Sequence, residues 1–179
     1  MYIWIGIDVD SQIAKLKKRA MSAERELELT RSCYTLPMHI SLKMSFEIDL
    51  KYFDVVVADL EQYCSCITPF AVGVRGIEDE GCIIWVRMDE NNSLNRIHDG
   101  LNEMLSSRWN VGLHEYDTDY KFHTTLFMSG DRDKMRIAYE RVADAPLPKE
   151  IRVNRFVIAY SETGALGTYT VYKTVTLDA

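Results

Sequence analysis

Basic residues are in deficit in this chain, with 21 Lys plus Arg against 27 Asp plus Glu and a formal charge of -6. Proteins that coat duplex nucleic acid draw much of their affinity from phosphate neutralisation, so this balance argues against an extended polyanion as partner. A nucleotide or a short RNA end stays open, because a few local donors suffice for one phosphate. Long hydrophobic runs are also missing. No stretch is long enough to cross a bilayer, and the opening Tyr2-Ile3-Trp4-Ile5-Gly6-Ile7 reads as a strand, without a basic region and secretory core. The expectation is a cytoplasmic protein with no membrane partner. Cysteine is sparse: Cys64-x-Cys66 has no second pair to complete a four-thiolate zinc site, Cys82 opens an apolar strand, and Cys33 stands alone. Unpaired thiols in a reducing compartment are expected. No Gly-x-Ser-x-Gly elbow marks a serine hydrolase, and no low-complexity linker separates independently moving domains.

What is present suits one substantial core or two small, tightly joined lobes, with 179 residues of which 47% are hydrophobic. Apolar patterning predicts strand 2–8, a helix within 11–31, strand 35–44, a helix within 50–64 and strand 70–77. The order then repeats as strand 82–88, helix 92–108, strand 120–128, helix 131–143 and strand 151–160. Pro69 closes the second helix, Asn91, Asn92 and Ser93 offer caps to the third, and Ser129-Gly130-Asp131 offers a turn and cap to the fourth. Asp79-Glu80-Gly81 joins two strands at the middle of the chain. The division expected is into halves 1–78 and 79–160 with a terminal strand at 168–177.

Within matching strands of the two halves stand His39-Ile40-Ser41-Leu42 and His123-Thr124-Thr125-Leu126, 84 residues apart. Residues i and i+2 of a strand share a face, so each motif offers one imidazole and one hydroxyl to the same space. An imidazole with a pKa near ~6.5 exchanges protons at neutral pH, and a hydroxyl donates to a phosphate oxygen. The flanking elements match as well: Trp4 precedes His39 by 35 residues and Trp85 precedes His123 by 38. The paired motifs point to phosphoryl chemistry in a cleft shared by both halves. Neither motif has an Asp or Glu on its own strand face, which weighs against a metal hydrolase.

With Met38-His39-Ile40-Ser41-Leu42-Lys43, Phe122-His123-Thr124-Thr125-Leu126 and the final strand pair that carries Ser161 and Tyr169-Thr170-Val171-Tyr172, the chain resembles the two-histidine phosphoesterase superfamily. That superfamily includes the LigT-like RNA 2',3'-cyclic phosphodiesterases, also called 2'-5' RNA ligase-like proteins. The resemblance implies an α+β fold of two similar lobes whose antiparallel sheets line a central cleft, with helices outside. It implies that His39 and His123 are the general acid/base pair, that Ser41 and Thr125 hold the phosphate, and that no metal or cofactor takes part. The implied reaction is hydrolysis of a cyclic phosphodiester with release of a 2'-phosphate, His123 activating water and His39 protonating the departing ribose oxygen. Reversal of the exchange would make a 2'-5' linkage. A noncatalytic nucleotide or RNA-end binding module on the same fold is the alternative.

Further substrate contacts are expected from residues near the motifs. Lys43 and Lys121 share strand parity with their respective motifs and would attract phosphate. Tyr34, Phe46, Tyr120 and Tyr169 are candidates for stacking on a base, and Arg75 with Arg155 occupies comparable late strands of the two halves. His98 is expected on a helix surface with a structural role, and His114 in a loop.

Overall fold

A computed structural model describes residues 1–29 and 36–177. Cys33 and Tyr34 lie outside the described residues. The elements run β1 (Tyr2–Asp8), α1 (Ala14–Leu27), β2 (His39–Glu47), α2 (Phe53–Ser65), β3 (Phe70–Asp79), β4 (Ile83–Met88), α3 (Asn92–Trp109), β5 (His123–Met128), α4 (Arg132–Val142), β6 (Glu150–Val153), β7 (Arg155–Ser161) and β8 (Thr170–Thr176). Local chemistry sets the boundaries. The Asn91 side chain accepts from the Ser93 and Leu94 amides to start α3, and Asp131 accepts from the Lys134 amide to start α4, which satisfies N–H groups that have no partner in the first helical turn. Asn110, with φ of 53°, closes α3 in the left-handed conformation that asparagine tolerates.

The strands form two antiparallel sheets, ordered β2-β1-β7-β8 and β5-β4-β3-β6. Sheet membership does not follow a division of the chain at residue 78: β3 lies in the second sheet, while β7 and β8 complete the first. The Asp79-Glu80-Gly81 turn explains the placement of β3. Gly81 takes φ of 86° and its amide is held by Asp79 Oδ1 at 2.8 Å, so β3 folds straight back on β4 as an antiparallel neighbour. The extended run near 151–160 divides at Asn154. Its first part, β6, pairs with β3, and its second, β7, pairs with β1, so one stretch of backbone serves both sheets, as strands at the corners of packed sheets do.

In each sheet the motif strand occupies one edge and pairs with a strand carrying tryptophan: β2 with β1, and β5 with β4. Ile3, Ile5 and Ile7 alternate along β1 and are fully buried, as are Ile84 and Val86 along β4. Each such side chain contributes about 2 kcal/mol of burial, and the alternation commits the intervening residues, Tyr2, Trp4, Gly6 and Asp8 or Trp85 and Arg87, to the opposite face. The helices tie the sheets together, with α3 against β2 and α1 against both α4 and β5. Buried residues from both sheets belong to one continuous core. No helix among the described residues is long and apolar enough to cross a membrane.

Candidate active site

The edge strands β2 and β5 touch where the sheets meet, bringing the two motifs together. His39 Nδ1 lies 2.7 Å from the Pro37 carbonyl and His123 Nδ1 lies 2.6 Å from the Lys121 carbonyl. A carbonyl oxygen only accepts, so each neutral imidazole carries its proton on Nδ1 and presents a bare Nε2. The same local device, a contact to the carbonyl two residues back, thus sets the tautomer in both motifs. Each ring also packs on the neighbouring strand's indole, His39 against Trp4 with centroids 4.3 Å apart and His123 against Trp85 at 4.2 Å.

Burial lowers the His39 pKa to about 4, and the nearby charge of His123 adds to that fall; the Pro37 hydrogen bond and Asp8 oppose it. His123 is lowered in the same way, first by burial and then by Arg87. Both imidazoles are therefore neutral in the unliganded site near pH 7. Arriving negative charge favours the imidazolium form, so an anion between the rings would load one of them with a proton.

Strand register reveals residues that the sequence reading overlooked. Asp8 faces His39 and Gly6 faces Ser41 across β1, while Arg87 faces His123 and Trp85 faces Thr125 across β4. Trp4 and Trp85 are thus not equivalent positions; Trp4 stands one alternation further from its motif and reaches back across Gly6. A Cβ on Gly6 would meet the Trp4 ring at 2.3 Å and the Ile40 carbonyl at 2.7 Å, so glycine is what lets the indole lie there. Arg87 is the larger omission. It is partly buried beside His123, and its Nη1 is enclosed with no hydrogen-bond partner. An enclosed guanidinium with an idle donor is costly unless an anion joins it. Period-two alternation from Trp85 places Arg87 on the same face, and that signal was available in the sequence.

The other expected contacts separate. Lys121 is exposed next to His123. Lys43 is corrected: the register slips between Ser41 and Lys43, setting Lys43 opposite Ile5 instead of continuing the His39 and Ser41 face. That β-bulge turns its side chain inward, where it is 1% exposed and ion-paired with the buried Asp117. Burial alone would raise the Asp117 pKa, but Lys43, the His114 amide and the charge of His98 hold it below the usual carboxylate range. Phe46 is also corrected; opposite Ile3, it lies on the core face and is buried, leaving no ring surface for a base. Tyr169 is buried against Trp4, Val157 and Ala159 with its hydroxyl on Ser45, so it supports the Trp4 indole.

Tyr120 lies outside the strand expected at 120–128, which begins only at His123. Its ring stacks on His98 at 4.6 Å. His98 is buried rather than on a helix surface, 4% exposed and 3.6 Å from Asp117 Oδ1. His114 is exposed and caps a short turn by accepting from the Tyr116 amide. Arg155 pairs with Asp8 at 3.3 Å, one strand removed from His39. Arg75 is exposed at a bulge in β3, adjacent to Gly76, which faces Arg87. Among the described residues, no three His, Cys, Asp or Glu side chains converge as a metal site, and Cys64, Cys66 and Cys82 are free thiols.

Known structures share this fold. The protein TT0787 of Thermus thermophilus superposes with a TM-score of 0.63 at 17% identity, over 98% of this chain and 97% of that one. A protein described as a phosphoesterase gives 0.62 at 13% identity, over 99% and 98%. E. coli LigT complexed with NADP+ gives 0.60 at 13% identity, over 99% and 97%, and LigT has also been solved with 3'-AMP and with ATP. Comparison with curated protein sequences finds no match. The sequence profile of the 2'-5' RNA ligase superfamily matches residues 3–165, and with two His-x-(Ser/Thr)-Leu strands meeting at the junction of two antiparallel sheets, this chain belongs to that superfamily.

Proposed function

We propose that this protein is a metal-independent phosphodiesterase that hydrolyses a 2',3'-cyclic phosphate or a related RNA or nucleotide phosphodiester. The observation that carries the reading is the pair of imidazoles on the touching strands β2 and β5, each with its Nδ1 on a backbone carbonyl and its Nε2 left bare, together with the partnerless Arg87 Nη1 beside His123. The phosphate would lie between the rings, with Ser41 and Thr125 donating to nonbridging oxygens and Arg87 countering the charge that grows on them. One imidazole takes a proton from water as the water oxygen bonds phosphorus. The bond from phosphorus to the 3' oxygen breaks, and the other imidazole protonates that oxygen, leaving a 2'-phosphate and a 3'-hydroxyl. The resemblance to the superfamily assigns the first role to His123 and the second to His39. LigT complexes with 3'-AMP, ATP and NADP+ support a nucleotide-sized ligand.

The test is turnover of 2',3'-cyclic nucleotides and cyclic-ended oligoribonucleotides, with and without chelator, with identification of the phosphate isomer released. Turnover should survive chelator and fall by about 10²–10⁴-fold in either His39→Ala or His123→Ala. A wild-type protein that binds these ligands without turning them over would replace this reading with a binding module. Loss of turnover on chelation would replace it with a metal enzyme.

A further inference from the structure

The two motif strands border different ground. Beside His39 and Ser41 the face of the first sheet is filled: Trp4 turns its indole N–H to Ser41 Oγ at 3.1 Å and packs with Val157, Ala159 and Tyr169, all four of them buried. Beside His123 and Thr125 the corresponding face of the second sheet is open. Gly76 of β3 faces Arg87 of β4, and a Cβ on Gly76 would meet no atom within 4 Å. Two residues on, Glu78 faces Trp85, which in turn faces Thr125, so Glu78 shares the face of the second motif. The Trp85 indole donates to Glu78 Oε2 at 3.3 Å. Glu78 is half-buried there, and among the described residues its Oε1 has no hydrogen-bond or ion-pair partner.

We propose that Glu78 selects the base of the substrate, its carboxylate accepting from the N1–H and the 2-amino group of a guanine whose ribose carries the cyclic phosphate. The inference rests on the phosphodiesterase reading for the phosphate and adds to it the direction in which the nucleoside lies, over the second sheet, and the base preferred there.

Reach and chemistry both support it. Residues two apart on a strand are separated by roughly 7 Å and neighbouring strands by roughly 5 Å, which puts Glu78 roughly 8 Å from Arg87 on the diagonal. A phosphate beside Arg87 and His123 would thus have its ribose over the open ground at Gly76 and its base at Glu78. The base hangs from C1', next to the carbon whose 2' oxygen stays on phosphorus, so it lies away from the 3' oxygen that departs toward His39. A carboxylate offers about four acceptor sites and no donor. The Trp85 N–H fills one and holds the group in place, leaving Oε1 and a lone pair of Oε2 for two parallel donors. Guanine carries two such donors on adjacent atoms of its Watson–Crick edge, the edge by which unpaired bases are read. Adenine and cytosine pair one amino group with an acceptor nitrogen, and uracil sets its one N–H between two carbonyls that would face the carboxylate.

The test is the ratio of kcat/KM for 2',3'-cyclic GMP to that for 2',3'-cyclic UMP in wild type and in Glu78→Gln, which keeps the shape of the side chain but replaces one acceptor oxygen with a donor. The same ratio is read in binding, by calorimetry with guanosine and uridine 2'-monophosphates, and thermal unfolding checks that the variant is folded. Wild type should favour guanine by about tenfold or more, and Glu78→Gln should bring the ratio close to one, chiefly through KM, because a contact to the base is made before and during reaction alike. A wild-type protein that turns over both nucleotides equally, or a Glu78→Gln protein that loses activity on both in the same proportion, would overturn the inference and leave the phosphodiesterase reading intact. A guanine preference in binding that Glu78→Gln abolishes, in a protein that never turns over, would overturn the enzyme reading and leave Glu78 in its role. A wild-type protein that neither binds nor hydrolyses these nucleotides would overturn both.

Discussion

Replacing His39 with Asn should make the protein less sensitive to mild acid. Asn places an amide N–H near the position of Nδ1, so the bond to the Pro37 carbonyl can be kept while the titrating group is removed. In the folded chain the His39 pKa is lowered from 6.5 to about 4 by burial and by His123. The unfolded chain therefore binds a proton first, and stability is full above about pH 6.5 and falls as the pH drops toward about 4. Near pH 5 the shift corresponds to about 2 kcal/mol, and access of water through the open side of the cleft reduces the expected loss to about 1–2 kcal/mol. Urea unfolding of wild type and His39→Asn near pH 8 and near pH 5 isolates this contribution, because other titrating groups cancel in the double difference. NMR titration of the ring protons reads the same pKa directly. Inorganic phosphate should raise it and stabilise the wild type more in mild acid than in base. Equal loss of stability in both proteins, or a His39 that titrates near 6.5, would refute the reasoning and with it the claim that both histidines await a proton until an anion arrives.

Three further outcomes follow from the surroundings of the site. Arg87→Met should lower kcat/KM by about 10²-fold or more and raise the His123 pKa, while costing little stability, because the guanidinium Nη1 has no protein partner to lose; kinetics, NMR titration and urea unfolding check all three. Lys43→Met should destabilise by about 3–5 kcal/mol because the Asp117 carboxylate would be left buried without its ammonium partner, and Lys43→Met with Asp117→Leu should recover much of that loss. Urea unfolding of the single and double variants decides. Gly6→Ala should cost about 1–3 kcal/mol and displace Trp4 from Ser41, since the new methyl would sit 2.3 Å from the indole; an unchanged tryptophan emission spectrum and unchanged stability would contradict this.

The helices, strands and histidine motifs were legible because each depends on residues close together in sequence. Asn91 and Asp131 cap the helices they precede, alternation sets Ile3, Ile5 and Ile7 on one face of β1, and each histidine's tautomer is set by a carbonyl two residues back. The misreadings came from breaks in local periodicity. Parity carried Lys43 onto the face of His39, but a bulge turned it inward. The stretch near 151–160 read as one strand because a change of partner sheet at Asn154 leaves little trace in a continuous apolar run.

By itself the sequence determined two proton carriers, each with a hydroxyl two residues on, and the elements that hold them, because capping, alternation and turn chemistry act over a few residues. Tertiary structure alone decided what surrounds those carriers. Arg87 meets His123, Asp8 meets His39, Tyr120 stacks on His98 and Lys43 finds Asp117 only through strand register and the packing of α3 with the loop that follows it. Register depends on which strands pair and where they bulge, which is a property of the whole assembled core.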